Sequence, residues 1–197
     1  MALTRINNQA LTNVTSAGLP TLTNDKLPAG SIIQVKNSEL TSQFSHTVST
    51  KNVYQDTGLS VTLTPRDANS KMSIQWNIGQ LANSDMDGGY SLMIRLVRVV
   101  GSTTTAINIG DQVGSYRARD TAHRWFGFAS HLYSSGDAGG VFLDSPSTTS
   151  SITYKVQVSS GYTSGGNTIY INRNAWNGDS DVAGTSASNL VVMEVAG

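Results

Sequence analysis

The sequence predicts an all-β protein, an antiparallel β-sandwich or jelly roll preceded by an extended N-terminal arm. Three observations carry this. From Gly30 onward the apolar residues fall in short runs enriched in β-branched and aromatic side chains, the composition of strands. The connections between runs are crowded with Ser, Thr, Gly and Asn, which favour turns over helix. No stretch shows a convincing amphipathic-helix period.

The chain divides into an arm, residues 1–30, and a jelly-roll domain, residues 31–197. In the arm Leu3, Ile6, Leu11, Val14, Leu19 and Leu22 recur every few positions, but Thr, Asn and Gly separate them, and Pro20 and Pro28 forbid a continuous helix. Such a segment buries too little apolar surface to fold alone. It is therefore expected to anchor the domain by docking on a neighbouring subunit or a different protein. Strands are expected at 31–36, 44–50, 59–64, 70–79, 90–100, 104–109, 122–133, 140–144, 151–159, 167–172 and 189–195. Asp56-Thr57-Gly58 and the Pro65 to Asn69 stretch are expected to close hairpin-like connections, and Asp87-Gly88-Gly89 offers residues tolerant of positive φ.

Two strands are apolar on both faces. Leu92 to Val100 is interrupted only by Arg95 and Arg98, and Leu190 to Val195 only by Glu194. A sandwich strand normally turns one face to solvent and alternates strictly. Cover from a second subunit or from the chain's own loops would account for the pattern, and Leu92, Ile94, Leu96, Leu190 and Val192 become candidates for a trimer interface.

Composition restricts the function classes. A chain of 197 residues suits one core plus an appendage. Cysteine is absent, which removes disulfides and thiolate metal sites. Net charge is zero and charged residues make up only 13%, so there is no electrostatic footprint for nucleic acid or an anionic membrane. Neither an export leader nor a membrane-spanning run is expected. A surface rich in hydroxyls and amides suits extracellular scaffolds and viral particles, where crowded copies would repel one another if strongly charged.

Chemical motifs are sparse. Among His46, His123 and His131, the last two would lie about 27 Å apart on one extended strand, too far to share a metal ion. The loops Asp85-Met86-Asp87-Gly88 and Asn177 to Asp181 have calcium-like spacing, but Val182 and Ser188 stand where an EF-hand loop has Gly and Glu, and Asx turns account for them equally. No nucleophile elbow, phosphate loop or zincin motif occurs, and no carboxylate pair suggests glycosidase chemistry. The expectation is a protein that is not an enzyme and needs no cofactor or metal. Tyr162 and Trp176, aromatic rings among amides and glycines, are candidates for stacking on a glycan or for capping the sandwich.

The order of short motifs resembles a group of bacteriophage virion proteins, especially of phages that infect cyanobacteria and other aquatic bacteria. The matching pieces are Leu27-Pro28-Ala29-Gly30-Ser31-Ile32-Ile33-Gln34-Val35, Asp56 to Leu59, Thr64-Pro65, Ser70-Lys71, Leu143-Asp144-Ser145-Pro146, Thr153 to Gln157, Asn172-Arg173 and Leu190 to Val195. What the resemblance implies is a TNF-like homotrimer on the outside of a virion, assembled in the host cytoplasm, with phage capsid or tail proteins as partners and no catalytic residue. Family members are described as tail-fibre tips, head fibres or capsid decoration proteins. The arm reaches at most about 100 Å and holds no coiled-coil or shaft repeat. A trimeric capsid decoration or cement protein is thus the leading expectation; a short tail fibre or receptor-binding tip for host-surface glycan is the alternative.

Overall fold

A computed structural model describes residues 27–84, 91–114, 117–125, 135–161, 167–176, 178–181 and 183–197. Within them lie eleven strands and no helix: β1 (Ile32–Leu40), β2 (Phe44–Thr47), β3 (Gln55–Leu63), β4 (Lys71–Asn83), β5 (Ser91–Val100), β6 (Thr103–Ile107), β7 (Ala122–Trp125), β8 (Gly136–Asp144), β9 (Ile152–Ser160), β10 (Thr168–Ile171) and β11 (Ser188–Val195). Each overlaps an expected strand; β1, β3, β4 and β8 extend well beyond the expected bounds, and residues 126–133 of the expected 122–133 strand lie outside the described residues.

All pairings are antiparallel. One sheet runs β1-β11-β4-β8, with β10 and β2 continuing beside the far half of β4. The other runs β3-β9-β5, and β6 and β7 share the remaining edge of β5. With the short β2, β6 and β10 set aside, the eight remaining strands in chain order pair as 1-8-3-6 and 2-7-4-5. That order is a jelly roll, in which the chain passes repeatedly between the two sheets.

Alternation sets the faces. In β4 Met72, Ile74, Trp76 and Ile78 are buried while Lys71, Ser73, Gln75 and Asn77 point away. In β9 Ile152, Tyr154, Val156 and Val158 point inward. These meet Leu59, Val61, Leu92, Ile94, Leu96, Leu190 and Val192 in one continuous core, the side-chain interdigitation expected of stacked sheets.

The two connections expected as hairpins differ. Asp56 to Gly58 lies inside β3 as a bulge: the register shifts between Asp56 and Ser60, Gly58 adopts φ 94°, and the Thr57 hydroxyl donates to the Val156 carbonyl at 2.8 Å. Residues 64–70 carry the chain from one sheet to the other, with the Asp67 carboxylate accepting from the Asn69 N–H at 2.7 Å. Turn chemistry reads the same for a hairpin, a bulge or a crossover, because all need Asx and Gly. Asp87-Gly88-Gly89 lies outside the described residues.

Polar groups in the interior are tied across elements. Arg98 of β5 donates to both carboxylate oxygens of Asp144 of β8 at 2.8 Å, and the Tyr154 hydroxyl of β9 donates to the same carboxylate at 2.8 Å. This joins the two sheets. Asn172, fully buried at φ 64°, donates to the carbonyls of Leu40 at 2.7 Å and Ser42 at 2.9 Å and accepts from the Ser188 hydroxyl at 2.6 Å. Buried Glu194 accepts from the Gln34 amide at 2.5 Å and the Arg66 N–H at 2.7 Å, closing the β3–β4 crossover over the first sheet.

Burial, then the hydrogen bond and charge of Asp144, hold the Tyr154 hydroxyl protonated well above the usual tyrosine range, with Arg98 opposing. Burial, then Asp120, act on Tyr54 in the same direction. A raised pKa contributes stability that is complete below the unfolded value of about 10 and is lost as pH rises above it. The urea midpoint should therefore fall progressively as pH rises above about 10, and less steeply in Tyr154→Phe; equal slopes for both proteins would show that Tyr154 does not carry the effect.

Candidate functional site

Two faces of the sandwich differ in what covers them. On the outer face of the second sheet, Met93 and Val97 of β5 are buried although they point away from the core. The chain itself covers them. Thr121 bonds β5 twice and β6 once: its N–H donates to the Ile94 carbonyl at 2.9 Å, its hydroxyl accepts from the Leu96 N–H at 2.9 Å, and the same hydroxyl donates to the Ile107 carbonyl of β6 at 3.1 Å. Arg95 stacks 3.5 Å from the centre of the Tyr54 ring and donates to the Arg119 carbonyl at 3.0 Å. The Tyr54 hydroxyl donates to Asp120, whose other oxygen lies 3.2 Å from Nδ1 of His123. Residues 117–121 thus form a strap beside β5, tied to it through Arg119 and Thr121.

The outer face of the first sheet has no such cover among the described residues. Cross-strand register aligns Val35, Met193, Ser73 and Leu143 in one row and Asn37, Val191, Gln75 and Val141 in the next, with Ile32, Val195 and Lys71 at the margin. Val141 is 69% exposed, Ile32 59%, Val35 54% and Leu143 51%, and among the described residues only Val53 and Val113 of the exposed large apolar residues lie elsewhere. Between Lys71 at one end and Glu39 at the other, these rows hold no charge. Exposed apolar residues gathered on one face, with Ser73 and Gln75 of β4 between the β8 pair and the β11–β1 group, mark a surface for association.

The residues expected at an interface lie elsewhere. Leu92, Ile94, Leu96, Leu190 and Val192 all point into the chain's own core at 0–1% exposure, so no second subunit can reach them. Parity explains the correction: on a two-residue repeat, the outward face of β11 is Val191, Met193 and Val195, one position away. On β5 the outward residues meet the strap. Phe142, between Val141 and Leu143, packs against the core, so the end of β8 is also apolar on both faces.

Trp176 is half-buried and lines a groove of about 250 Å³ with Gln43, Arg173, Asn174, Asp179 and Thr185. Gly178 lies against its ring: a Cβ there would fall 2.1 Å from it. Arg173 stacks over Tyr170 at 4.2 Å and donates to the carbonyls of Asn174 and Ala175, bracing the loop. Tyr162, His131, the arm residues Leu3, Ile6, Leu11, Val14, Leu19 and Leu22, and the first calcium-like loop lie outside the described residues, as do Asn177 and Val182 of the second. Among the described residues no group of three or more His, Asp or Glu converges as a metal site, and no helix is long and apolar enough to cross a membrane.

The strand order places the chain among jelly-roll β-sandwich proteins. No protein-family model matches the sequence, and a search of curated proteins finds no match. Among solved structures it is similar to "Structure of infectious bursal disease virus Gx strain", with TM-score 0.40, 13% identity and cover of 85% of this chain and 39% of that one. It is also similar to "Crystal structure of infectious bursal disease virus VP2 subviral particle", with TM-score 0.34, 12% identity and cover of 84% and 42%. The chain spans about two fifths of the length of those structures.

Core placement makes a direct prediction. Leu96→Asp or Val192→Asp buries an unpaired carboxylate and is expected to cost several kcal/mol and unfold the domain. Loss of the cooperative near-UV CD transition checks it; a folded but dissociated protein would return these side chains to an interface.

Proposed function

We propose that this chain is a non-enzymatic structural protein of a virus particle. In this reading it is a jelly roll that forms a homotrimer through the outer face of the β1-β11-β4-β8 sheet and is held on the particle by residues 1–30. The observation that carries the reading is the uncharged apolar face built by Ile32, Val35, Val141, Leu143, Val191 and Met193. A lone domain gains nothing from exposing it, and a closed symmetric ring of identical copies covers it on every copy. The low charge fraction supports dense packing on a shell, and the resemblance to phage virion proteins supports the trimer. Three arms per trimer can clamp neighbouring capsomers, so weak single contacts suffice. Within this reading a capsid decoration or cement role on a phage head is favoured, since clamping needs only a compact oligomer and gripping arms. The Trp176 groove supports the second reading, a short tail fibre or tip that binds host-surface glycan.

Light scattering of the full chain is expected to give three copies. The double change Val141→Glu, Leu143→Lys should give a folded monomer with the parent's urea midpoint, since both side chains are more than half exposed. A parent that is monomeric at micromolar concentration, or a variant that stays trimeric, counts against this face.

Deleting residues 1–28 should leave the jelly roll folded and its oligomeric state unchanged while abolishing incorporation into particles. Incorporation at the parent's level, measured by quantitative gel of purified particles, would end the anchoring role; hundreds of copies on the head rather than a few on the tail would separate decoration from fibre.

A further inference from the structure

The strap beside β5 does more than cover an apolar face. Where it ends, beside β7, it leaves a cavity of about 500 Å³ lined by Lys51, Asn52, Ser91, Met93, Arg117 and His123. Among the described residues the lining holds two obligate cations and a histidine but no carboxylate. Among the described residues neither Lys51 nor Arg117 forms an ion pair, whereas Lys155, Arg98 and Arg124 each have an acid beside them. In a chain of zero net charge, concentrating unneutralised cations in one concavity is a local arrangement rather than a general basic field.

The walls are braced. Asp120 is withdrawn from the cavity: its side chain is 4% exposed, and it is engaged by Tyr54 and His123, so it orients the imidazole without cancelling the cations in front. Asn52 sits in the left-handed region at φ 63°, its N–H donating to the Ser160 carbonyl at 3.0 Å, which fixes the turn that carries Lys51. Met93 supplies a buried apolar floor, and Asn52 and Ser91 supply amide and hydroxyl groups.

We propose that this cavity binds a carboxylate-bearing sugar residue of an acidic polysaccharide, with the carboxylate between Lys51, Arg117 and His123, hydroxyls on Asn52 and Ser91, and the ring over Met93. The volume lies in the range of small-ligand sites, and the lining combines an apolar floor with a few placed polar groups. Three basic groups confined to one cavity suit a single anionic residue; a nucleic acid would require a basic stripe along the surface. The site lies on the second sheet, away from the proposed assembly face, so it does not depend on the trimer.

Calorimetric titration of the full chain with oligogalacturonate is the test, with the neutral galactose oligomer and inorganic phosphate at matched ionic strength as comparisons. Saturable binding of the uronate is expected, weakened as salt rises, and reduced on the order of tenfold or more in Lys51→Ala, Arg117→Ala, in which truncated side chains remove charge-assisted contacts. Both residues are exposed, so the double variant should keep the parent's urea midpoint, and Lys51→Arg should retain binding. No uronate binding at millimolar concentration, equal binding by the double variant, or equal binding of the neutral oligomer would overturn the site. Full displacement by phosphate at equal concentration would reduce it to a nonselective anion pocket and overturn the saccharide assignment. Since the titration is read on protein of either oligomeric state, its failure leaves the assembly reading untouched.

Discussion

The ion pair between Arg98 and Asp144, with the Tyr154 hydroxyl on the same carboxylate, joins the two sheets through the interior. Hydrophobic packing presses sheets together but does not fix their mutual slide, because apolar contacts are non-directional. Charge-assisted hydrogen bonds from one guanidinium nitrogen to both carboxylate oxygens, with the Tyr154 hydroxyl as a third donor, are directional and do fix it. Its consequence reaches the surface: Asp144 ends β8, the edge strand that presents Val141 and Leu143. Holding the end of that strand against β5 and β9 keeps its outward residues in line with Met193 and Val35, so an internal polar contact maintains an external apolar face.

The two outer faces illustrate how similar strand composition reaches different ends. Both β5 and β11 carry apolar side chains on each side. Beside β5 the chain lays its own strap, bonded through Thr121 and weighted by Arg95 on Tyr54, so the outward Met93 and Val97 are satisfied within one copy. Beside β11 lie only β1 and β4, and their outward residues run from exposed valine and isoleucine to serine and glutamine. Cover for that face must come from outside the described chain, which is why it bears the proposal for assembly.

Asn172 shows a related economy in the backbone. At a left-handed φ that asparagine tolerates better than most residues, one side chain closes the carbonyls after β1 and receives Ser188 at the start of β11. Buried carbonyls left open at that junction would each cost free energy comparable to a lost hydrogen bond. The same strand exchange requires Gly79, where a Cβ would stand 2.4 Å from the Ala187 carbonyl oxygen. Chain crossings, rather than strand interiors, impose the strictest residue choices here.

Strand existence was determined by the sequence alone, because a two-residue alternation such as Met72, Ile74, Trp76 and Ile78 is a local property that no other element produces over that length. The all-β class, the absence of helix among the described residues and the jelly-roll type followed from it. The lack of a strong charge pattern was equally local. What needed the tertiary structure was everything that depends on which neighbour a strand acquires. Asp56 to Gly58 became a bulge and Pro65 to Asn69 a crossover, since turn-forming residues specify a change of direction and not its partner. The interface reading chose Leu190 and Val192 on β11, where the outward residues are Val191 and Met193; a strand apolar on both sides carries no internal sign of which face is inner, and only the opposing sheet decides. Lys51 stands far in sequence from Arg117 and His123 and shares a cavity with them only because the strap returns beside β5, a juxtaposition that no spacing along the chain could announce.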